Sequence, residues 1–412
     1  MNIHYRLTDV VPKEHMLDGN FLEKKHISVK EMNAPNGNEY KIYKYDKMSL
    51  TFDSASSLGL FRSVIFNKDK IVAFAPPKSH NYSRFVNENK DFNDVIVQEF
   101  IEGTMINLFY EKNTSNPEGE WELATKTTVG GNSAFFKDEE KITFRRMFLD
   151  AMNESGLEFE HLDKKYTYSF VVQHPKNRIV SLVTRPKLYL VAVYEIDNDN
   201  YVITENTATD MEVYSHVSVP EQFYCKDYDE VQSKFASMSS SYDIVGAIIK
   251  NKEGHRTKIR NPVYEKVKHL RGNNPKLQFQ YFALRKTGKV REFLKYYPEY
   301  KKEFTKFRDD IHAYTETLHM YYMACYVRKE KPLIQFPKEY RGNMFKLHEQ
   351  YVENLREKNE KVSRKFVIEY VNNLHPAQLM YVINQPLRKQ LVDNEKQILQ
   401  DKKDESEAKN ES

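Results

Sequence analysis

Two hydrophobic periods share this chain, and the point where one gives way to the other limits the fold more than any single motif. From Ile42 to about Lys268 the apolar residues come in short β-branched and aromatic runs broken by Asn, Gly, Asp and Pro. SVIFN (Ser63 to Asn67), KIVAFAPP (Lys70 to Pro77), VIVQEF (Val95 to Phe100), TMINLFY (Thr104 to Tyr110), WELATKT (Trp121 to Thr127), YTYSFVVQ (Tyr166 to Gln173), RIVSLV (Arg178 to Val183), LYLVAVYEI (Leu188 to Ile196) and IVGAIIKN (Ile244 to Asn251) each predict a strand. Two stretches among them, Thr143 to Gly156 and Pro220 to Met238, repeat at helical spacing instead. After Pro275 the apolar residues fall three and four apart and glycines thin out, with Ser363 placed as an N-cap and Pro376 just past a helix end. Strands mixed with separate helices, without regular alternation, predict an α+β fold rather than a doubly wound sheet, followed by an all-helical C-terminal domain.

A chain of 412 residues predicts two or three domains. No apolar run approaches the ~20 residues that cross a bilayer, so no membrane partner is expected. The N-terminus, MNIHYRLTDVVPKEH, lacks the basic-then-apolar layout of a secretory signal. Cys225 and Cys325 stand far apart with no His or Cys at ligand spacing, which indicates neither a disulfide framework nor a metal site and fits a reducing compartment. The net charge of +4 is small for this length, so total charge does not itself point to nucleic acid. From residue 396 onward the chain is almost wholly polar and reads as a disordered tail.

The stretch QEFIEGTMINLFY, Gln98 to Tyr110, brings two strands together at Glu102, Gly103 and Thr104, a tight turn beside polar groups. With Val95 to Tyr110 as a whole it resembles motif I of the covalent nucleotidyltransferases, the superfamily of RNA ligases, DNA ligases and mRNA capping enzymes. In these a strand delivers a K-x-D-G segment to the nucleotide. Upstream, Leu60 to Phe85 is similar to the RNA-ligase lead-in, with an Arg-bearing strand and a lysine before an aromatic loop. Downstream, Trp121 to Phe136 is similar to motif III, Tyr166 to Val180 to the motif IV strand pair, and Val245 to Gly272 to motif V. The resemblance implies a mostly antiparallel nucleotidyltransferase domain, ATP-grasp-like in its ligase character, over residues 42–272. An N-terminal extension (1–41), a helical C-terminal domain (273–395) and the tail (396–412) complete the expected organisation.

In such enzymes the motif I lysine attacks the α-phosphate of ATP or GTP, acidic residues contact ribose or a metal, and motif V lysines neutralise phosphate. This sequence departs from that pattern at three motifs. With Gly103 as the glycine and Glu102 as the acid, Phe100 occupies the place of the lysine, and a phenyl ring is no nucleophile. Tyr166 to Gln173 has no carboxylate, and Val245 stands where motif V has an acid before Gly246. Lys258 and Arg260 fit the closing K-x-K, and alternation along a strand turns both to one cleft. The resemblance therefore implies a domain with no catalytic lysine at motif I, whose nucleotide-binding residues are Glu102, Gly103, Lys126, Gly246, Lys258 and Arg260. Glu102 also reads as a cap on backbone amides, the two glycines as close-approach positions, and Lys126 as an exposed strand lysine.

The function expected is nucleotide or RNA binding, or regulation, without the lysyl-nucleotide step. No cofactor is firmly indicated; ATP or GTP with Mg, and RNA, are the ligands the resemblance leaves open. One rival is an active RNA ligase or guanylyltransferase with a displaced lysine, Lys78 or Lys126; the other is a structural or virion-associated protein with a filled cleft. EGTMIN, the Arg260 to Asn273 segment and the helical tail look like RNA-ligase-like proteins of large DNA viruses, implying host cytoplasm or a viral factory. Between Leu284 and Arg308, Lys and Arg alternate with Tyr and Phe, either as a base-stacking, phosphate-gripping surface or as an amphipathic helix with aromatics inside. Oligomeric state is not legible.

Overall fold

The computed structural model describes residues 3–112, 116–135, 142–394 and 397. It divides into two compact units, Met1–His269 and Leu270–Ser412. The first is α+β with antiparallel sheets and the second is helical, as the change of period predicts. Phe136, at the end of the motif III resemblance, and the polar tail, apart from Gln397, lie outside the described residues.

The strands of the first unit, in chain order, are β1 (Ile3–Arg6), β2 (Ile27–Asn33), β3 (Glu39–Tyr45), β4 (Val64–Asn67), β5 (Lys70–Phe74), β6 (Val95–Glu99), β7 (Thr104–Glu111), β8 (Glu120–Ala124), β9 (Tyr166–Gln173), β10 (Lys187–Asp197), β11 (Val202–Asn206), β12 (Gln222–Phe223), β13 (Gly246–Asn251) and β14 (Arg256–Arg260). They form three sheets, ordered β1-β11-β10-β9-β7-β8, β12-β6-β13-β14 and β2-β3-β4-β5. The described part of the segment set apart in the sequence as an extension (residues 1–41) supplies β1 to the first sheet and β2 and the start of β3 to the third. Leu7, Val11, Met16 and Leu22 are buried in the same core as Phe66, Phe74 and Tyr194. Packing of this kind has no local sequence signature, because partners lie many residues apart: β1 pairs with β11.

Alternation gives each sheet two distinct faces. In the β6-β13-β14 sheet, Val97, Ala247, Ile249 and Ile259 are buried with Phe85, Val231 and Phe235. Their neighbours Gln98, Ile248, Lys250, Arg256 and Lys258 point the other way, into a cavity. The helix Phe144–Ser155 covers β7, β9 and β10 through Met147, Phe148, Ala151 and Met152. Its ends are as predicted: Thr143 caps the Arg146 amide, and Gly156 closes the helix in a left-handed conformation (φ 68°).

Two expectations differ from the structure. Arg178 to Val183 is not a strand, because the Glu102 carboxylate takes the amides of Val180 and Ser181 (3.1 and 3.2 Å) while the Arg178 guanidinium donates to Val180 O. Backbone groups engaged by side chains in this way are withdrawn from a ladder. The helix read over 220–238 shortens to Tyr228–Phe235, capped by Asp227, since Gln222 and Phe223 pair with β6 as an edge strand.

In the second unit the longest helix, Lys301–Tyr322, buries Phe304, Ile311, Tyr314, Leu318 and Tyr322. Ser363 caps Arg364–Asn373 by accepting from the Phe366 amide (3.2 Å), and Pro376 opens the next helix, Pro376–Ile383. Asn343 ties Tyr314 and Tyr370 together in the interior. Of the six aromatics in the Leu284 to Arg308 stretch, Phe293, Tyr297 and Phe304 are buried and Tyr296, Tyr300 and Phe307 half-buried, while Lys295, Lys301, Lys302 and Lys306 are exposed. The amphipathic arrangement accounts for the three buried rings, which are packed in a core and not free to stack bases. No described helix is long and apolar enough to cross a membrane.

Candidate functional site

A cavity of about 300 Å³ opens in the first unit, walled by parts of all three sheets. The β6-β13-β14 sheet contributes its outward row, β1, β10 and β11 contribute Tyr5, Ala192, Tyr194 and Glu205, and the segment after β5 contributes Pro76 to Ser79. Arg62 and Tyr45 close one side. Six cationic side chains line the space, Arg62, Lys78, Lys126, Lys250, Arg256 and Lys258, against two carboxylates, Glu99 and Glu205.

The cations fall into two groups. Lys250 and Arg256 are committed. Lys250 is paired to the buried Glu205 carboxylate, which also accepts the Tyr5 hydroxyl (2.8 Å). Arg256 donates Nε and Nη2 to Pro77 O (3.1 and 2.6 Å). These bonds hold the segment after β5 against β14. Lys258, Lys126 and Lys78 have no carboxylate within ion-pair distance among the described residues. Burial pushes the Lys258 amine down to about 8, with Arg260, Lys78 and Arg62 adding repulsion. Lys126 and Lys78 are lowered for the same reasons, burial first and Arg62 second. Arg62, held by Pro76 O (3.1 Å), is lowered by burial and by Arg256 to about 10. Several cations kept close together, only partly solvated and mostly without anions, form a site whose missing component is negative charge.

Phe100 lies among them, half-buried, with the Lys258 Nζ 5.7 Å and the Arg260 guanidinium carbon 5.8 Å from its ring centroid. The ring face offers the partial negative charge that the cations otherwise lack. Arg260 does not line the cavity and is paired with Glu265 (2.7 Å). Lys126 does, on the loop after β8, where Lys126 O accepts the Ser63 hydroxyl (3.1 Å) and its amine lies 5.5 Å from the Tyr45 ring centroid.

Glu102, Gly103 and Gly246 stand outside the cavity lining. Glu102 is buried and spent on the amides of Val180 and Ser181. Gly103 and Gly246 take φ of +151° and +139°, and a β-carbon there would lie 2.5 Å from Val172 O and 2.0 Å from Ile259 O. Both are close-approach glycines that seat one strand against another. Of the predicted site residues only Lys126 and Lys258 line the cavity, and the charged pair and its partners that shape it were not foreseen. Arg256 was within reach, since Arg256, Lys258 and Arg260 alternate on one face of β14. Tyr5, Glu205 and Lys250 were not, because their association joins strands far apart in the chain.

One group has the residue types of a metal site: ligand atoms of His161, Glu212 and His216 all lie within 4.8 Å of one another. The two rings stack at 3.9 Å, however, and His161 Nδ1 accepts the Glu158 amide (3.0 Å). A histidine ligating through Nε2 carries its proton on Nδ1 and donates it. Metal binding there would break the cap on residues 158–161.

No protein-family model matches the chain, and no curated protein matches it. Among solved structures it is similar to an archaeal ATP-dependent RNA ligase (14% identity, 93% of this chain and 79% of that one, TM-score 0.39). It is also similar to a putative ATP-dependent DNA ligase from Aquifex aeolicus (11%, 92% and 79%, TM-score 0.36). A Naegleria gruberi RNA ligase mutant with AMP and Mn matches over 49% of this chain and 59% of that one (10%, TM-score 0.34). Likeness this loose does not carry a function across, so the reading of the site rests on its own residues.

Proposed function

We propose that the first unit is an RNA-ligase-like nucleotidyltransferase domain that binds a nucleotide or the phosphate end of RNA and does not form a lysyl-nucleotide at the motif I position. The observation that carries this reading is the cavity lined by Lys258, Lys126, Lys78 and Arg62, with Phe100 where the lysine would stand. Phosphate oxygens would supply the anions these side chains lack, and the arginine could engage them through its planar fork. A base or ribose would find an aromatic face at Phe100 or Tyr45. An open cavity beside Phe100 speaks against the structural rival, which needs that ring packed among apolar groups. Two unpaired cysteines and the viral resemblance of the sequence support a reducing setting, host cytoplasm or viral factory.

A second reading is favoured by Lys258. Its amine is partly deprotonated near neutral pH and lies against the ring that replaces the motif I lysine, so it, rather than Lys78 or Lys126, is the displaced nucleophile of an active enzyme. Incubation of the full chain with α-labelled ATP and GTP plus Mg or Mn separates the two. The binding reading expects a raised melting temperature and no label on the denatured chain. Acid-labile label that disappears in Lys258→Met establishes the second reading.

A further inference from the structure

Four lysines line the cavity, Lys78, Lys126, Lys250 and Lys258, and their surroundings separate them. Lys250 is paired with Glu205, and Lys78 Nζ donates to Ser79 O (2.8 Å). Lys126 and Lys258 have no hydrogen-bond or ion-pair partner among the described residues. Lys126 stands on a loop. Lys258 is in the middle of β14, between Thr257 and Ile259, whose burial on the opposite face turns its amine to the cavity. Across the sheet it pairs with Ile248, which pairs with Gln98, and the Phe100 ring centroid lies 5.7 Å from its Nζ. The ring face favours the charged amine. Burial and the charges of Arg260, Lys78, Arg62 and Arg256 outweigh it and bring the amine down to about 8. A lysine withdrawn from water and set among other cations is activated as a nucleophile in this way. At pH 7 roughly one such amine in ten is neutral, against about one in 2,500 for an ordinary lysine.

We propose that Lys258 forms an imine with an aldehyde carried on a sugar phosphate, so that the cavity captures such sugars covalently. A neutral amine beside unpaired cations suits this chemistry: the cations hold the phosphate while the amine meets the carbonyl carbon. Lys126, without an anion in the same cavity, is the partner for the phosphate. The space of about 300 Å³ is large enough for a pentose phosphate. In the step itself the Nζ lone pair bonds to the carbonyl carbon, the carbon–oxygen bonds break, and the oxygen leaves as water with both amine protons. A C=N bond remains, and neither oxidant nor reductant takes part. The aldehyde belongs to an open-chain pentose phosphate or to the sugar left in a nucleic-acid strand that has lost a base. This activity goes beyond nucleotide binding but rests on the phosphate-holding part of that reading.

Reductive trapping of the full chain tests it. The protein is incubated at pH 7 with cyanoborohydride, which reduces an imine to a stable amine, and with ribose 5-phosphate, ribose, deoxyribose or an oligonucleotide carrying one abasic deoxyribose. Peptide mass spectrometry then locates the adducts. One dominant adduct is expected, at Lys258, formed at least tenfold faster with ribose 5-phosphate than with ribose, or with the abasic strand than with deoxyribose. The phosphate-bearing aldehyde that shows the gain identifies the source. The ratio of this adduct to that on exposed lysines such as Lys306 should fall as pH rises from 7 to 10, because above about 8 only the exposed amines still lose protons. Lys258→Arg, which keeps the charge without a free amine, should abolish the adduct; should that variant fail to melt cooperatively, the adduct's position in the unaltered chain decides. Adducts spread over exposed lysines, placed at Lys78 or Lys126 instead, formed without the tenfold gain or undiminished in Lys258→Arg overturn the proposal. If ATP still raises the melting temperature, the proposal falls alone; if ATP has no effect and no adduct forms, it falls together with the reading it rests on.

Discussion

At Lys258 binding and stability pull in opposite directions. Its amine is charged in the unfolded chain up to the ordinary lysine range but loses its proton near 8 in the folded one. Between those values the unfolded state binds more protons, so this group makes stability rise with pH there, and below about 8 its partly desolvated charge weighs on the fold. Lys258→Met should therefore raise the melting temperature at pH 7 while weakening AMP or ATP binding about tenfold, the order of one charge-assisted bond. Affinity of the unaltered chain should fall as pH rises from 7 to 9, and the same titration on Lys258→Met should be flatter. Glu102 should behave in the reverse manner. Glu102→Ala strips the Val180 and Ser181 amides of their acceptor and should cost roughly 2–3 kcal/mol in urea unfolding, with nucleotide affinity unchanged.

Among elements, the β13-β14 hairpin orders three of the six cavity cations, Lys250, Arg256 and Lys258. Its register sets Ile248 opposite Lys258 and Lys250 opposite Arg256, and Gly246 starts the pairing where only hydrogen fits against Ile259 O. Gly246→Ala should destabilise the chain by more than about 3 kcal/mol, read as a fall in the urea midpoint, through strain and clash together. Where a strand carries its own period, as in β7, β9 and β10, the sequence placed it to within a residue or two. Arg178 to Val183 has the composition of a strand and is not one, because a carboxylate from another turn claims its amides. Arg260 shows the same limit: alternation puts it on the face of Lys258, but Glu265 draws its guanidinium away from the cavity.

For the whole molecule, the net charge of +4 conceals a local excess of cations in one cavity. Binding of short RNA should therefore depend on salt only as strongly as contact with a few phosphates requires. A slope of log K against log salt of about −2 to −3 is expected for three or four of them. A much steeper slope would recruit the exposed lysines of the helical unit as well, and a charge-reversing pair such as Lys301→Glu with Lys302→Glu would then flatten it. Without that recruitment the pair leaves the slope unchanged.

The sequence by itself determined the change from strands to helices near residue 270, the capped helix after Thr143 and the two strand-seating glycines. Each of these is written in side-chain period, backbone freedom or residue identity within a few positions. Only the tertiary structure decided which charges remain available. Glu205 reaches Lys250 and Tyr5 across the chain, Arg256 is spent on carbonyls, and Lys258 is left beside Phe100 with its proton loosely held. Desolvation and pairing depend on which groups meet in space, and residues far apart in the chain settle that only when the sheets close around the cavity.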